Sequence, residues 1–155
     1  MSKNKVMGIK VKQRDITDCG AACLASVASF YRVHMPISKI RQFAGTDRKG
    51  TNILGLIEAA DKMGFTARGV KADWDSLFKI PYPTIAHIIV KGTLTHYVVL
   101  LKITGIVIKI MDPADGTIHK IRHDDFKSQW TGVLVLIAPG ERFTIRNEKA
   151  SLTTR

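Results

Sequence analysis

The hydrophobic pattern of this chain changes period at one place, Pro81 to Pro83, and that change limits the folds open to it. Before the prolines, apolar residues recur at helical spacing. Leu24, Val27, Ala28 and Tyr31 fall at i, i+3, i+4 and i+7, the buried face of a helix expected from about Cys19 to Val33. Ile37, Ile40 and Phe43 predict a short second helix stopped by Gly45. Asp47 to Gly50 reads as a polar loop. Asn52 is placed to cap a third helix, Ile53 to Met63, closed by Gly64. Phe65 to Val70 reads as a strand, and Asp73 as the cap of a single turn through Leu77. After the prolines, short apolar runs alternate with turn signals. Ile85 to Val90 and Thr95 to Ile103, joined through Lys91-Gly92, read as a hairpin. Thr104-Gly105 leads into Ile106 to Met111, and Pro113 to Gly116 into Thr117 to Ile121. Asp124 to Trp130 fits one more helical turn. Val133 to Ile137 is a final buried strand ended by Pro139-Gly140. Helices followed by an antiparallel sheet define an α+β domain.

The length of 155 residues suits one domain with a real core. The expected division is a flexible basic tail over 1–9, a domain over 10–143 and a polar tail or linker over 144–155. A hydrophobic content of 45% excludes a disordered chain. The longest apolar runs, Ile85 to Val90 and Val133 to Ala138, are too short to span a bilayer. Residues 1–12 are basic, but no apolar segment follows to make a secretory signal. The net charge of +11 invites nucleic acid or an anionic membrane as partner. No recognition helix, stacking-aromatic array or nucleic-acid motif accompanies it, so the charge reads as a solvated face and no nucleic acid is expected.

Cys19 carries the chemistry. Thr17 and Asp18 are helix N-cap types, so Cys19 falls in the first turn of the first helix. The exposed N–H groups and the positive end of the helix dipole favour a thiolate there, the form that attacks carbonyls. Gln13 lies shortly upstream, where its amide can fold back and donate to an oxyanion on the attacked carbon. Cys23 falls one turn further in and reads as a small buried hydrophobe. A disulfide between thiols one turn apart on a helix is strained, so both are expected reduced, in a cytosolic setting. Cys19, Cys23 and His96 also make a nominal zinc set. No CxxC pair supports it, and neither metal nor cofactor is expected.

A thiolate nucleophile needs a base, and the base needs an orienting group. Of the five histidines, His96 opens the apolar run Tyr97 to Leu101 and so sits at a strand end. Asp112 ends the neighbouring strand. A two-residue turn at Thr104-Gly105 sets Tyr97 opposite Asp112. A three-residue loop, Ile103 to Gly105, with Gly105 left-handed, sets His96 opposite Asp112. Sequence alone does not choose between these loops. Each residue singly has an ordinary reading: a core cysteine, a sheet-edge histidine, turn chemistry at Asp112-Pro113.

Together they carry a resemblance. The block Gln13 through Cys19-Gly20-Ala21-Ala22-Cys23-Leu24, with His96-Tyr97-Val98-Val99-Leu100 and Ile110-Met111-Asp112-Pro113-Ala114-Asp115-Gly116, resembles the peptidase domain of bacteriocin-processing ABC transporters. Lesser matches are Gly45-Thr46-Asp47, Gly50-Thr51-Asn52 and Trp130-Thr131-Gly132, and the similarity spans about residues 10 to 140. These are double-glycine leader peptidases, cysteine proteases of papain-like fold. The resemblance implies that Cys19 is the nucleophile, His96 the general base and acid, Asp112 the group that orients His96, and Gln13 the oxyanion donor beside the Cys19 N–H. It implies cleavage after a Gly-Gly or Gly-Ala pair ending a leader, on the cytosolic side of the bacterial membrane, before export. The implied partners are a precursor with an amphipathic helical leader and the membrane and nucleotide-binding domains of a transporter. No Walker A sequence is present, which fits an excised domain or a stand-alone relative. Leader recognition in the family is helix-in-groove. Candidate contacts here are Leu54 and Met63, at the edge of the third helix, and Tyr97. The alternative function is a leader-binding module without catalysis, which a complete catalytic set argues against.

Overall fold

The computed structural model describes residues 8–46 and 50–140. Residues 1–7, 47–49 and 141–155, with most of the expected tails and of the Asp47 to Gly50 loop, lie outside it. Three helices come first: α1 (Cys19–Phe30), α2 (Ile37–Ala44) and α3 (Ile53–Lys62). Strands β1 (Phe65–Lys71), β2 (Thr84–Val90), β3 (Leu94–Ile103), β4 (Val107–Asp112) and β5 (Thr117–Arg122) follow. A last helix, α4 (His123–Gln129), and β6 (Trp130–Pro139) close the chain. The strands form one antiparallel sheet in the order β1-β6-β2-β3-β4-β5.

Local chemistry explains most boundaries. The Asn52 side chain accepts from Gly55 N–H at 2.7 Å and starts α3. Gly45, at φ +64, ends α2. Asp73 accepts from the Ser76 N–H and hydroxyl, at 2.9 and 2.7 Å, and fixes a 3-10 turn over Asp75–Phe78. One end differs from expectation. α1 stops at Phe30, short of Val33, because Arg32 takes the left-handed conformation (φ 65) and Val33 N–H returns to Ala28 O at 2.9 Å. That is a Schellman closure without the glycine that usually announces it.

Alternation along β3 assigns its two faces. Tyr97 and Val99 pack under α1 and α3 with Met111, Val135 and Ile137. Val98 and Leu100 pack on the opposite face with Ile108, Ile110, Phe126 and Leu134. The helical half covers one face of the sheet, while α4 and the Asp75–Phe78 turn cover the other. Ile9, assigned by sequence to the tail, is buried in the helix-side core, and its carbonyl accepts from Ser26 Oγ at 2.5 Å.

Candidate active site

The entry to α1 is built differently from the simple cap its sequence suggests. Asp15, not Thr17 or Asp18, starts the winding. Its side chain accepts from Thr17 N–H at 2.8 Å and opens a 3-10 turn over Ile16–Asp18 that runs directly into α1. Asp18 makes no side-chain cap bond to α1. Its carboxylate points back, accepting the Arg14 and Asp15 N–H groups, both at 3.2 Å, and the Arg41 guanidinium of α2. Asp18 is 1% exposed, so these charge-assisted bonds are what make its burial tolerable. Arg41 also donates to Thr17 Oγ1 at 3.2 Å. Sequence reading missed this pair, whose members lie far apart in the chain. The end of α1, with Cys19 as its first residue, therefore has no competing side-chain cap.

His96 stands at the start of β3, 9% exposed. Its Nε2–H donates to Asp112 Oδ1 at 2.8 Å, and the Cys19 side chain is a second polar neighbour of the imidazole. With Nε2 taken by the carboxylate, Nδ1 is the nitrogen left for sulfur. Burial by itself would lower the His96 pKa. The bond to Asp112, with the electrostatic influence of the Asp112 and Cys19 side chains, outweighs it, and the pKa is raised to about 9. Asp112 shows the converse. Burial would raise its pKa, but the His96 bond and charge and the Ala114 N–H, at 2.9 Å, bring it below the ordinary carboxylate value. At neutral pH the site therefore holds an imidazolium between a carboxylate and the sulfur.

The register that delivers this contact is neither of the two expected. Ile103 pairs with Ile108, and Thr104 N–H bonds Val107 O at 2.9 Å, so the turn centres on Gly105-Ile106. Thr104 Oγ1 accepts from the Ile106 and Val107 N–H groups, at 3.2 and 3.0 Å, which moves the turn one residue along the chain. Gly105 is accordingly not left-handed. After an irregularity past Leu100, the β3–β4 ladder ends at Val99 and Met111. His96 and Asp112 meet through their side chains beyond that end.

Gln13 is tied to the same corner. Its N–H donates to Pro113 O at 2.8 Å, next to Asp112, and its Oε1 is buried without a hydrogen-bond partner among the described residues. Cys23 is wholly buried. Burial first, then the charges of Cys19 and Asp112, push its thiol pKa well up, so it is inert at neutral pH.

The expected leader contacts divide. Leu54 is 63% exposed. Met63 is buried, because Leu56, Ala59, Ala60 and Met63 fall on one helical stripe facing the core, with Leu54 turned away. Tyr97 is buried too. Strand alternation sends it under α1, beside Gly20 and 5.1 Å, ring to ring, from His87. Neither Met63 nor Tyr97 offers a surface to a leader. A groove of about 380 Å³ runs between α3 and β1, lined by Ile57, Glu58, Asp61, Lys62, Thr66 and Ala67, and Leu54 precedes Glu58 by one turn of the same helix. Among the described residues, no cluster of three or more histidine, cysteine or acidic side chains is placed to hold a metal.

A cysteine opening a helix, against a carboxylate-bound histidine on an antiparallel sheet, is the arrangement of papain-like cysteine peptidases. The chain belongs to the Peptidase C39 family, whose model matches residues 9–142. It is 36% identical over 149 residues to the mesentericin-Y105 transport/processing ATP-binding protein MesD of Leuconostoc mesenteroides, covering 93% of this chain and 20% of that protein. It is 38% identical over 147 residues to the lactococcin-G-processing and transport ATP-binding protein LagD of Lactococcus lactis, covering 93% and 21%. The chain thus spans about a fifth of the length of these curated relatives. Among solved structures, the peptidase domain of Streptococcus ComA superposes with a TM-score of 0.78 at 38% identity, covering 83% of this chain and 96% of that one. A double glycine motif protease from an AMS/PCAT transporter, solved with its leader peptide, superposes with a TM-score of 0.76 at 32% identity, covering 83% and 89%.

Proposed function

We propose that the chain removes the leader from a secreted peptide precursor by cutting after a Gly-Gly or Gly-Ala pair, with Cys19, His96, Asp112 and Gln13 as its catalytic residues. The supporting observation is the His96–Asp112 hydrogen bond with Cys19 neighbouring the same imidazole, which is protonated at neutral pH. The Cys19 thiolate attacks the carbonyl carbon of the second small residue, and a C–S bond forms as the carbonyl electrons move to oxygen. Gln13 and the Cys19 N–H hold that oxyanion. The donor in this role is the Gln13 side-chain N–H, and the Gln13 backbone, tied to Pro113 O, holds that residue at the same corner as Asp112. As the tetrahedral centre collapses, the C–N bond breaks and His96 gives its proton to the leaving amine. Neutral His96 then takes a proton from water, which attacks the thioester. The C–S bond breaks, and the sulfur leaves as the thiolate beside a restored imidazolium. A narrow cleft admits only small residues before the cut, which is a steric filter.

Two glycines bury almost no side-chain area, so affinity must come from the rest of the leader. Leu54 and the groove between α3 and β1 are the proposed seat of an amphipathic leader helix, where each leucine-sized side chain contributes about 1.5–3 kcal/mol on burial. The proposed setting is the cytosolic side of a bacterial membrane, in company with the transmembrane and nucleotide-binding domains of an ABC transporter. Incubation with a Gly-Gly precursor, followed by mass spectrometry, tests this reading. Cleavage should fall after the second glycine and vanish in Cys19→Ala, which should still bind the leader. An intact precursor, or hydrolysis by Cys19→Ala, would refute it.

A further inference from the structure

We propose that Gly116 is a positioning residue for Gln13, so that the turn from Asp112 to Gly116 sets the base and the oxyanion donor from one frame. The proposal rests on the reading of Gln13 given above. Gln13 lies in a segment without regular structure, so its placement depends on what that segment touches. Two contacts hold it. The Gln13 N–H donates to Pro113 O at 2.8 Å. The backbone of Lys12 lies flat against Gly116: a Cβ on Gly116 would come within 2.7 Å of Lys12 Cβ and 2.9 Å of Lys12 Cα and N. Gly116 also has φ +70. Glycine is thus required twice, once for its backbone conformation and once for the close approach.

The same turn fixes Asp112. Gly116 N–H and Asp115 N–H donate to Asp112 O at 2.8 and 3.3 Å, and Ala114 N–H to Asp112 Oδ1 at 2.9 Å. One residue of the turn reaches His96 and the next receives Gln13. A side chain at Gly116 would push the Lys12-Gln13 segment off the turn while leaving the Asp112–His96 contact in place. Misplacement of a reacting group by about 1 Å can cost on the order of 10²-fold in rate.

Gly45 and Gly92 are the controls. Their φ values are +64 and +77, and a Cβ at either meets nothing within 4 Å, so alanine brings comparable backbone strain without a contact. The experiment measures kcat and KM on a Gly-Gly precursor, together with the Cys19 alkylation rate. The variants are Gly116→Ala, Gly45→Ala, Gly92→Ala, Gln13→Ala and the double variant Gln13→Ala/Gly116→Ala. Gly116→Ala should lose about 10–10²-fold in kcat relative to both controls, with KM and alkylation retained. Gln13→Ala should lose about 10²–10³-fold. Adding Gly116→Ala to it should cost nothing more, since the two act through one group.

A Gly116→Ala variant no slower than the controls overturns the proposal alone. So does an additive loss in the double variant, or an alkylation rate that falls in step with kcat, which would put the effect through Asp112 and His96. A wild-type kcat for Gln13→Ala overturns the reading of Gln13 and this proposal with it. If Gly116→Ala does not fold, an ester at the Lys12–Gln13 link deletes the Gln13 N–H without changing a side chain. It can be installed by ligating a synthetic 1–18 segment at Cys19. That variant must show the same kcat loss, and wild-type kcat there overturns the proposal.

Discussion

Two histidine–aspartate pairs lie on the β3–β4–β5 side of the sheet, and both close at 2.8 Å between Nε2 and a carboxylate oxygen. His96–Asp112 has side chains 11% and 29% exposed; His119–Asp115 has 43% and 52%. Distance does not separate them. Burial and a third partner do. His96 has Cys19 as a further neighbour, and its protonated form is held to about pH 9. Among the described residues His119 finds Asp115 and the Thr117 hydroxyl, within an exposed strand end. A carboxylate beside an imidazole becomes a catalytic pair only where water is kept out and a group with work for the proton stands on the other side.

The sharpest way to break this comparison is to remove each ring in turn. His96→Ala should lower kcat by about 10⁴–10⁶-fold, as loss of a triad base does. His119→Ala should leave kcat near wild type, and a deep loss there, measured on the same precursor, would mean that the exposed pair also serves the reaction. The carboxylates come next. Asp112→Asn should cost up to about 10⁴-fold in kcat, because the amide no longer holds the imidazolium in its orientation. Asp115→Asn should leave kcat near wild type, and should change stability by no more than about 1 kcal/mol in thermal melts, the ordinary worth of an exposed pair.

The smallest and most informative effect is the pH profile. In the proposed mechanism His96 carries a proton to release the amine, so kcat/KM should fall as pH rises through about 9. A fall near the ordinary histidine value would show that the Asp112 and Cys19 side chains do not outweigh burial. At mildly acidic pH, iodoacetamide should label Cys19 and spare Cys23, whose thiol is raised by burial. Equal labelling of the two would erase the distinction between them.

Much of this was legible because the signals were local. Asn52 announced α3, Gly45 the end of α2, and the period-two runs after Pro83 announced the strands. Cys19, His96 and Asp112 were each placed at an element end by a cap or a turn. What escaped was set by partners far along the chain. Arg32 gives no hint of a left-handed closure. The Thr104 hydroxyl shifted the turn that fixes register, so the pairing of His96 with Asp112 was foreseen through a ladder that does not form. Asp18 looked like a cap because Arg41, its partner, belongs to another helix. Met63 looked like a helix edge until the stripe through Leu56, Ala59 and Ala60 showed which side faced the core.

The place of β6 in the sheet has a consequence for how the molecule is made. It is the last described strand in the chain, yet it lies between β1 and β2 and pairs with both. During synthesis β1 has no strand neighbour until the residues up to Pro139 have emerged, and the β2–β5 meander keeps an open edge where β6 will pair. Closure therefore waits on contacts distant in sequence, which is the slow kind of folding. A ribosome stalled just short of Trp130 would hold two sticky strand edges, and the site at Cys19 would lack the finished sheet against which α1 and α3 pack. The sheet under the site is complete only once β6 has joined it.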